Sequence, residues 1–435
     1  MKIAFITLGC KLNFAETATY ERGFREAGLE VVPWREKADV YLINTCTVTA
    51  TADGKSRNEI RKVHRINPDA KIIVTGCYAQ MKPEEVLAIE GVARVFTAEE
   101  KNLVVGETLK LLRTDTRGNA CTEPFFGRGH ALSHAATDGD YKAQVFAAYS
   151  TGERTRAFLK VQDGCDNFCR YCTVPYARGR SRSIRICEAV RMAEDIAAAG
   201  VKEIVLTGVN TGDFGRGTDE TFLGLLQALD KVDGIERYRI SSIEPNLLTE
   251  EIIDWIASGT KFQPHFHIPL QQGTDTILAS MGRKYTSAFF ADRIAYIRSR
   301  MEGPGKPLVF FGIDVMAGLP GETEELFRQE YRFLEELRPA FIHVFPYSRR
   351  PGTPAATMPG QVPEDVKARR VAELEALCSR LHAGFVEANR GVREKVLFES
   401  KKEKDGSMGG YTGNYIRISR PWDASLVGKL SEVTI

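Results

Sequence analysis

Three cysteines in one short loop carry the clearest chemical signal of the chain. Cys165, Cys169 and Cys172 have the spacing C-x3-C-x2-C. Three thiolates can hold three irons of a 4Fe-4S cluster and leave the fourth iron open to a substrate or cofactor. A structural zinc ion needs four closed ligands, and no histidine or fourth cysteine lies nearby in the sequence. The spacing therefore favours an iron–sulfur cluster with an open iron; the alternatives are a zinc knuckle and chance clustering.

A second set of three cysteines is spread over the N-terminal part of the chain. Cys10, Cys46 and Cys77 each follow directly on a short apolar run of the kind that forms buried strands. The carboxyl ends of parallel strands lie at one edge of a sheet, where α/β folds bind ligands. The pattern predicts a second open-iron cluster site, and the alternative is three buried core cysteines. The other cysteines are interpreted as small hydrophobic residues, namely Cys121, Cys187 and Cys378.

The elements that must position these thiols alternate short apolar runs with amphipathic stretches, which is typical of parallel α/β folds. In the N-terminal part the runs predict strands at 2–8, 39–44, 71–75 and 94–97, with helices at 16–27 and 54–66. Six further runs predict an open or partial βα barrel, with strands at 156–161, 203–207, 237–241, 265–269, 308–315 and 341–345. The last part predicts a helix from about 371 and strands at 394–398, 411–419 and 426–433.

These elements divide the chain into four predicted regions. They are an N-terminal cluster domain at 1–115, a linker at 116–155, a barrel at 156–370, and a helix with a small β domain at 371–435. The linker is predicted because that stretch is rich in glycine and has little apolar periodicity.

Composition excludes several classes of protein. Hydrophobic residues make up 43% of the chain and charged residues 27%, which excludes a mainly disordered protein. We expect a cytoplasmic protein without a membrane partner, because no apolar run is long enough to span a bilayer and the N-terminus lacks a signal peptide. Nine cysteines without an export signal favour metal chemistry over disulfides. The net charge of +2 means that any nucleic-acid site must be a local patch.

The cysteine loop resembles that of the radical S-adenosylmethionine superfamily, in which an aromatic residue precedes the third cysteine, as Tyr171 does here. The resemblance implies that the open iron binds S-adenosylmethionine and that the cofactor is cleaved reductively to a 5′-deoxyadenosyl radical. Tyr171 would then pack near the adenine.

Four longer runs, at 7–13, 44–49, 174–180 and 267–271, resemble the methylthiotransferases within that superfamily. This resemblance implies an α/β protein of three parts. They are a parallel-sheet, flavodoxin-like cluster domain, a central partial βα barrel, and a small C-terminal β-barrel of the TRAM type, which is OB-like and binds RNA. It also implies two 4Fe-4S clusters and S-adenosylmethionine as cofactors, with no catalytic side chain beyond the cluster ligands.

Polar residues just past the barrel strands correspond to the family's cofactor-binding segments. The resemblance places the methionine amino group near 207–210 and the ribose and adenine near the later strand ends. The implied contacts are Tyr171, Thr207, Gly208, Asn210, Ser242, Glu244, Gln271 and Asp314. One departure is Gln272, where the family often has serine.

A basic stretch follows the cysteine loop, with five arginines and no acidic residue between Arg170 and Arg185. Such a stretch suits an anionic substrate such as RNA, and a solvated charged face is the alternative. In the C-terminal β unit, basic residues are interleaved with Tyr411 and Tyr415, on which bases could stack. The predicted RNA contacts are Arg178, Arg180, Arg182, Lys395 and Arg417.

Runs 205–210 and 240–246 most resemble the branch that acts on threonylcarbamoyladenosine in tRNA. The resemblance implies methylthiolation at C2 of that nucleoside, immediately 3′ of the anticodon at position 37, with two S-adenosylmethionine per turnover. The implied partners of a monomeric enzyme are the tRNA anticodon stem-loop and an electron donor such as flavodoxin or ferredoxin. The alternatives are methylthiolation of isopentenyladenosine or of a ribosomal protein, and, in a different class, a non-catalytic iron–sulfur or zinc RNA-binding protein.

Overall fold

The computed structural model describes residues 1–115, 145–151 and 155–435. The chain forms two compact units, one of Met1–Ala148 with Thr173–Gly179 and the other of Tyr149–Cys172 with Arg180–Ile435. Most of the predicted linker lies outside the described residues, as does Cys121. Among the described helices, none is both long and apolar enough to cross a membrane.

The first unit is built on a parallel sheet with the strand order β2-β1-β3-β4-β5. Its strands are β1 (Lys2–Thr7), β2 (Glu30–Val31), β3 (Val40–Thr45), β4 (Lys71–Gly76) and β5 (Val92–Val95). Its helices are α1 (Lys11–Glu26), α2 (Ala50–Ile66), α3 (Cys77–Met81), α4 (Pro83–Leu87), α5 (Val104–Asp115) and α6 (Val174–Arg178).

The central strands of this sheet are apolar on both faces because helices cover both sides. In β3 every residue is buried, and alternate residues belong to two separate core clusters. Ile43 packs in one cluster with Tyr78, whereas Leu42 packs in the other with Phe24. The prediction of a parallel N-terminal sheet is therefore confirmed. Two details differ: the last strand lies two residues earlier than predicted, and α1 begins at Lys11, directly after Cys10.

The second unit contains a partial barrel followed by a small sheet. Its barrel strands are β7 (Arg156–Lys160), β10 (Glu203–Thr207), β11 (Arg237–Ile240), β12 (His265–Gln271), β13 (Phe310–Ala317) and β14 (Phe341–Pro346). Shorter strands are β6 (Ala148–Tyr149), β8 (Gln162–Asp163) and β9 (Arg182–Ser183). The helices are α7 (Ile186–Ala198), α8 (Phe222–Asp230), α9 (Glu250–Ala257), α10 (Asp275–Ser280), α11 (Ser287–Met301), α12 (Glu324–Leu337) and α13 (Glu364–Ala388).

The six barrel strands run parallel and form two sheets, of order β11-β10-β7-β6 and β12-β13-β14. An isolated parallel bridge pairs Tyr238 of β11 with Phe262, which precedes β12 in the chain. The helices begin where the sequence provides caps, since a threonine hydroxyl accepts a backbone N–H bond at the start of α8, α9, α11 and α12. The predicted partial βα barrel is confirmed.

The C-terminal part forms a four-stranded antiparallel sheet of order β17-β16-β15-β18. Its strands are β15 (Arg393–Lys402), β16 (Ser407–Tyr411), β17 (Arg417–Pro421) and β18 (Leu430–Thr434). The single strand predicted at 411–419 is wrong, because the chain turns between β16 and β17 and Tyr415 has a positive φ of 65°. Helix α13 begins at Glu364, so it spans the boundary predicted at 370.

Buried charges join this sheet to the barrel. The Glu203 carboxylate accepts a hydrogen bond of 2.8 Å from Arg239 Nε, and Arg239 Nη1 and Nη2 donate to the carbonyls of Gly413 and Thr412. Tyr411 and Tyr415 stack on each other, with centroids 4.7 Å apart, and Arg156 lies over both rings. The expectation that these tyrosines are platforms for RNA bases is therefore corrected, because they pack within the protein.

Candidate functional site

The first three cysteines lie at the carboxyl ends of three adjacent strands. Cys10 is the N-cap residue of α1 shortly after β1, Cys46 directly follows β3, and Cys77 begins α3 directly after β4. Since β1, β3 and β4 are neighbours in the sheet, the three thiols share one edge. This is the edge at which open α/β sheets bind their ligands.

Two glycines with positive φ make the close approach of these loops possible. Gly9 has a φ of 99°, and a Cβ there would lie 3.1 Å from Cys46 Sγ. Gly76 has a φ of 98°, and its Cβ would lie 2.4 Å from the carbonyl oxygen of Thr45. A side chain at either position would therefore be strained and would push the cysteine loops apart.

Buried cations adjoin this group of thiols. Arg178 is 3% exposed; its Nη2 lies 3.9 Å from Cys10 Sγ and also donates to Asn13 Oδ1. Its Nη1 lies 3.3 Å from Glu16 Oε1, which Lys101 Nζ approaches to 2.7 Å. Among the described residues, Glu16 thus faces two cations, one of which, Arg178, also lies beside Cys10. Such a charge favours an anionic group at this position.

Burial disfavours the free thiolate here. It raises the pKa of Cys46 to about 11 and also raises the pKa of Cys77, although Arg178 opposes the shift at Cys77. A metal that binds such thiols displaces their protons and supplies the charge that burial removes. Three neighbouring thiols, beside the guanidinium of Arg178, fit an iron–sulfur cluster.

The second set of cysteines lies in the loop that follows β7 and β8. Cys165 and Cys169 are buried and Cys172 is half-buried. The loop is held by buried Gln162, whose Nε2 donates to Gly164 O at 2.8 Å. Burial raises the pKa of Cys165 to about 11. As in the first unit, the donor set is three thiols in a low-dielectric position, which fits a cluster.

A buried arginine also contacts this second set. Arg283 Nη1 lies 3.2 Å from Cys169 Sγ and 3.3 Å from Tyr171 Oη, while its Nη2 lies 2.7 Å from Glu244 Oε1. Tyr285 Oη accepts from Arg283 and donates to the carbonyl of Pro269 at 2.6 Å. Each set of thiols therefore has one buried arginine at a thiol, and each arginine is held by a glutamate.

Comparison with known proteins identifies both regions. Residues 2–98 match the uncharacterized protein family UPF0004, and residues 159–334 match the radical SAM superfamily. The chain is 41% identical to the threonylcarbamoyladenosine tRNA methylthiotransferase MtaB of Bacillus subtilis, over all of this chain and 93% of that protein. The chain belongs to the MtaB-type tRNA methylthiotransferases of the radical SAM superfamily. The cofactors of this enzyme are therefore S-adenosylmethionine and 4Fe-4S clusters.

Other relatives have similar coverage. The MtaB of Aquifex aeolicus is 36% identical over the whole of both chains. A tRNA-2-methylthio-N(6)-dimethylallyladenosine synthase of Carboxydothermus hydrogenoformans is 32% identical, over 99% of this chain and 95% of that protein. Among solved structures, the radical S-adenosylmethionine methyltransferase TsrM of Kitasatospora setae matches with a TM-score of 0.56 and 16% identity, over 82% of this chain and 77% of that chain. That likeness supports the fold.

The methylthiotransferase brings several of the predicted cofactor residues together. Asn210 Oδ1 accepts a hydrogen bond of 3.1 Å from the backbone N–H of Glu244, and Glu244 binds Arg283 beside the cysteine loop. A cavity of about 450 Å³, lined among others by Asn167, Asp213 and Glu244, opens at this point. Its volume is within the usual range of small-molecule sites, about 300–1,000 Å³.

Other predicted cofactor residues have structural partners of their own. The Thr207 hydroxyl donates to Leu159 O at 3.2 Å, within the sheet. At Gly208 a Cβ would lie 2.9 Å from Gln162 Oε1, so the loop needs glycine. Ser242 accepts from Thr211 N through its backbone oxygen, at 3.0 Å.

Two predicted cofactor residues lie on β12 and β13. Gln271 ends β12 at a bulge, with a φ of 71°. The next residue, Gln272, where the family often has serine, is fully buried. Asp314 lies in the middle of β13, and its Oδ1 is 2.8 Å from His267 Nε2.

The predicted RNA contacts differ in exposure. Arg178 is buried against Glu16 and Asn13, so its predicted contact with RNA phosphate is corrected: this guanidinium lies among the cysteine loops. Arg180 is 56% exposed, whereas Arg182 is 20% exposed and lies 3.8 Å from Asp163. Lys395 and Arg417 are exposed on β15 and β17.

Sequence reasoning missed several residues of the site. Asn13 lies within the run 7–13, which resembles the methylthiotransferases. Its hydrogen-bond partner Arg178, however, is 165 residues away in the sequence. Arg283 and Lys101 belong to no motif that the sequence analysis recognised. Of the remaining cysteines, Cys378 is buried as expected and accepts from Ile342 N, but Cys187 is exposed on α7.

Proposed function

We propose that this methylthiotransferase adds a methylthio group to C2 of N6-threonylcarbamoyladenosine at position 37 of tRNA, with two S-adenosylmethionine per turnover and two 4Fe-4S clusters. The observation that carries the proposal is the presence of two separate cysteine triads, one at the carboxyl ends of three parallel strands and one in the loop after β7 and β8, each beside a buried arginine. Two such sites are more than a radical enzyme with one cluster requires.

Cys165, Cys169 and Cys172 would hold the cluster that binds S-adenosylmethionine, and Cys10, Cys46 and Cys77 would hold the auxiliary cluster. When bound, these cofactors supply the hydrogen-abstracting radical and the methylthio group. No side chain beyond the cluster ligands is assigned as an acid, base or nucleophile.

The protein's own residues would set the charge and shape of each site. Arg178 and Arg283 place a guanidinium at one thiol of each triad, and the carboxylates of Glu16 and Glu244 orient them. Proposed contacts to S-adenosylmethionine are Tyr171, Thr207, Gly208, Asn210, Ser242, Glu244 and Gln271.

The nucleoside is proposed from the relatives and from runs 205–210 and 240–246. The 41% and 36% identical proteins bear the name threonylcarbamoyladenosine tRNA methylthiotransferase, whereas the dimethylallyladenosine synthase is 32% identical. The tRNA anticodon stem-loop would contact Arg180, Arg182, Lys395 and Arg417, the last two on the proposed TRAM-type sheet. A flavodoxin or ferredoxin would donate electrons to the enzyme, which would be a cytoplasmic monomer. We also propose that the chain is divided into the four regions predicted from the sequence.

The test is nucleoside analysis after anaerobic reconstitution with iron and sulfide. The wild type is expected to convert threonylcarbamoyladenosine in tRNA to its 2-methylthio form and to leave isopentenyladenosine unchanged. Cys165→Ala is expected to abolish cleavage of S-adenosylmethionine and therefore all product. Cys10→Ala is expected to keep the release of 5′-deoxyadenosine but to stop methylthio transfer.

Cys187→Ala is the matched control, because Cys187 is exposed and lies outside both triads. It should bind about eight irons and transfer normally. Normal transfer by Cys10→Ala would refute the two-cluster proposal. A product formed on isopentenyladenosine alone would refute the proposed nucleoside and leave the enzyme class intact.

A further inference from the structure

Three polar side chains form one layer on the sheet of β12, β13 and β14. His267, Asp314 and His343 occupy alternate positions of these strands on the face opposite the one that α11 covers. The other face is apolar and covered: Phe266 stacks on Phe311, and Arg298 of α11 lies over Phe311. On the open face His267 is 21% and Asp314 19% exposed, and His343 is exposed.

The three side chains are close enough to act on one ligand. His267 Nε2 lies 2.8 Å from Asp314 Oδ1, the rings of His267 and His343 are 5.1 Å apart, and one ligand atom from each residue lies within 4.8 Å of the others. Asp314 pairs with His343 across the strands, so the layer follows the register of the sheet.

A glycine lies beside this layer on the same face of the sheet. Gly312 pairs with His267 on one side and with Phe341 on the other. A Cβ at Gly312 would lie 3.8 Å from His343 Nε2 and 3.2 Å from Phe310. The missing side chain therefore lets the Phe310 ring and the His343 imidazole approach the backbone of β13.

The layer is connected to the cysteine loop within the same unit. Arg283 contacts Cys169 and the Tyr285 hydroxyl, and that hydroxyl donates to the carbonyl of Pro269, which pairs with Asp314. Met316, two residues beyond Asp314 on the same face, packs in the core cluster that includes Tyr171. A ligand held by the layer would therefore lie near the radical-forming loop.

We propose that His267, Asp314 and His343 form the site that recognises the polar N6 substituent of the target adenosine. This inference rests on the proposed function. A threonylcarbamoyl group carries a ureido N–H and carbonyl, a hydroxyl and a carboxylate, whereas an isopentenyl group has no polar atom. The Asp314 carboxylate accepts from an N–H or hydroxyl, and His343 donates to a carbonyl or carboxylate oxygen.

The neighbouring aromatic residue suits a nucleobase. Phe345 lies two residues beyond His343 on the same face of β14 and is 47% exposed. Exposed aromatic rings are the usual platforms on which unstacked RNA bases bind. Asp314, predicted from the sequence as a cofactor contact, is thus assigned to the substrate.

The experiment compares the equilibrium binding of two synthetic anticodon stem-loops, one with threonylcarbamoyladenosine at position 37 and one with unmodified adenosine. The reconstituted wild type is expected to prefer the modified stem-loop by about tenfold or more, since each hydrogen bond to a charged group is worth about that factor. His343→Phe and Asp314→Asn are expected to lose this preference and to keep the affinity for the unmodified stem-loop. His343→Phe should still release 5′-deoxyadenosine at the wild-type rate without RNA.

His64→Asn is the control, because His64 lies on α2 beside Glu90, in the first unit. It should keep the full preference. A wild type without any preference would count against the proposed nucleoside, whereas a preference retained in both variants would overturn this inference alone. Stoichiometric binding of added Zn²⁺ or Mn²⁺ by the wild type but not by His343→Phe would also overturn it, because the three residues would then form a metal site.

Discussion

At the scale of single residues, the two buried arginines are the feature that distinguishes these cysteines from ordinary buried thiols. Arg178 and Arg283 are each nearly inaccessible, and each places a guanidinium nitrogen within 4 Å of a thiol sulfur. A buried guanidinium needs a compensating charge, and Glu16 pairs with Arg178 while Glu244 pairs with Arg283. An anionic cluster would place a further negative charge beside each guanidinium.

Arg283→Met tests the effect of this cation on the cluster that we propose at Cys165, Cys169 and Cys172. Removal of the cation and of its bond to Cys169 should lower the reduction potential of the cluster, because nearby positive charge stabilises the reduced form. The change is measured by a redox titration followed by EPR, with and without S-adenosylmethionine. Arg300→Met is the control, because Arg300 is half exposed and paired with Asp254. An unchanged potential in Arg283→Met would show that Arg283 only holds the fold.

At the scale of elements, the residues proposed to carry the chemistry follow the ends of strands, and helices hold those ends in place. The end of β12 is an example, because Gln271 adopts a positive φ at a bulge and Gln272 turns into the core. Behind it, Glu330 of α12 is fully buried, and its Oε1 accepts from the backbone N–H of Gly273 at 3.1 Å. The bulge therefore depends on a buried carboxyl group.

The pKa of Glu330 makes this element sensitive to pH. Burial, together with the nearby carboxyl of Glu322, raises the pKa of Glu330 well above its usual value, although Arg370 opposes the shift. A raised pKa in the folded state means that stability is greatest below the unfolded pKa and falls as the pH rises through the folded pKa. Glu330→Gln should remove this fall and stabilise the protein at pH 8 by about 1–3 kcal/mol.

The measurement is the thermal unfolding midpoint of the reconstituted enzyme at pH 5, 6.5 and 8. Glu335→Gln provides the control, because Glu335 lies on the same helix but is exposed and paired with Arg380. If the unfolding midpoint changes with pH equally in the wild type and in Glu330→Gln, Glu330 does not titrate in this range.

At the scale of the whole molecule, charge is distributed locally around a balanced total. The chain carries 59 basic and 57 acidic residues, so a polyanionic substrate must be bound by particular patches. The exposed Arg180, which lies over the Phe168 ring at 4.9 Å, is in one such patch beside the cysteine loop. Arg182 is largely covered and contributes less surface.

Arg180→Ala is therefore expected to weaken tRNA binding more than Arg182→Ala does. Loss of one phosphate contact should reduce the slope of log affinity against log salt by about 1 and should act alike on all tRNA sequences. Binding is measured at salt concentrations between about 50 and 200 mM, a range in which affinity that depends on phosphate contacts falls steeply. Arg300→Ala is the control. If neither the affinity nor its salt dependence changes in Arg180→Ala, the basic stretch is a solvated face and not an RNA site.

The sequence alone was sufficient wherever the signal is local or periodic. The spacing of Cys165, Cys169 and Cys172 lies within one loop, and the strand-end rule placed Cys10, Cys46 and Cys77 at one sheet edge because hydrophobic runs reveal where parallel strands end. For the same reason, the parallel sheet and the six barrel strands were predicted with small errors at their ends.

Only the tertiary structure decided which polar residues meet these thiols and strands. Arg178 and Cys10 are 168 positions apart, and Arg283 and Cys169 are 114 apart, so no local pattern links them. Tyr411 and Tyr415 are interleaved with basic residues in the sequence, which is typical of an RNA-binding surface. In the structure, Arg156 and the barrel cover them. Hydrophobic periodicity indicates which residues are buried, whereas the partner of a buried charge depends on how elements distant in sequence pack together.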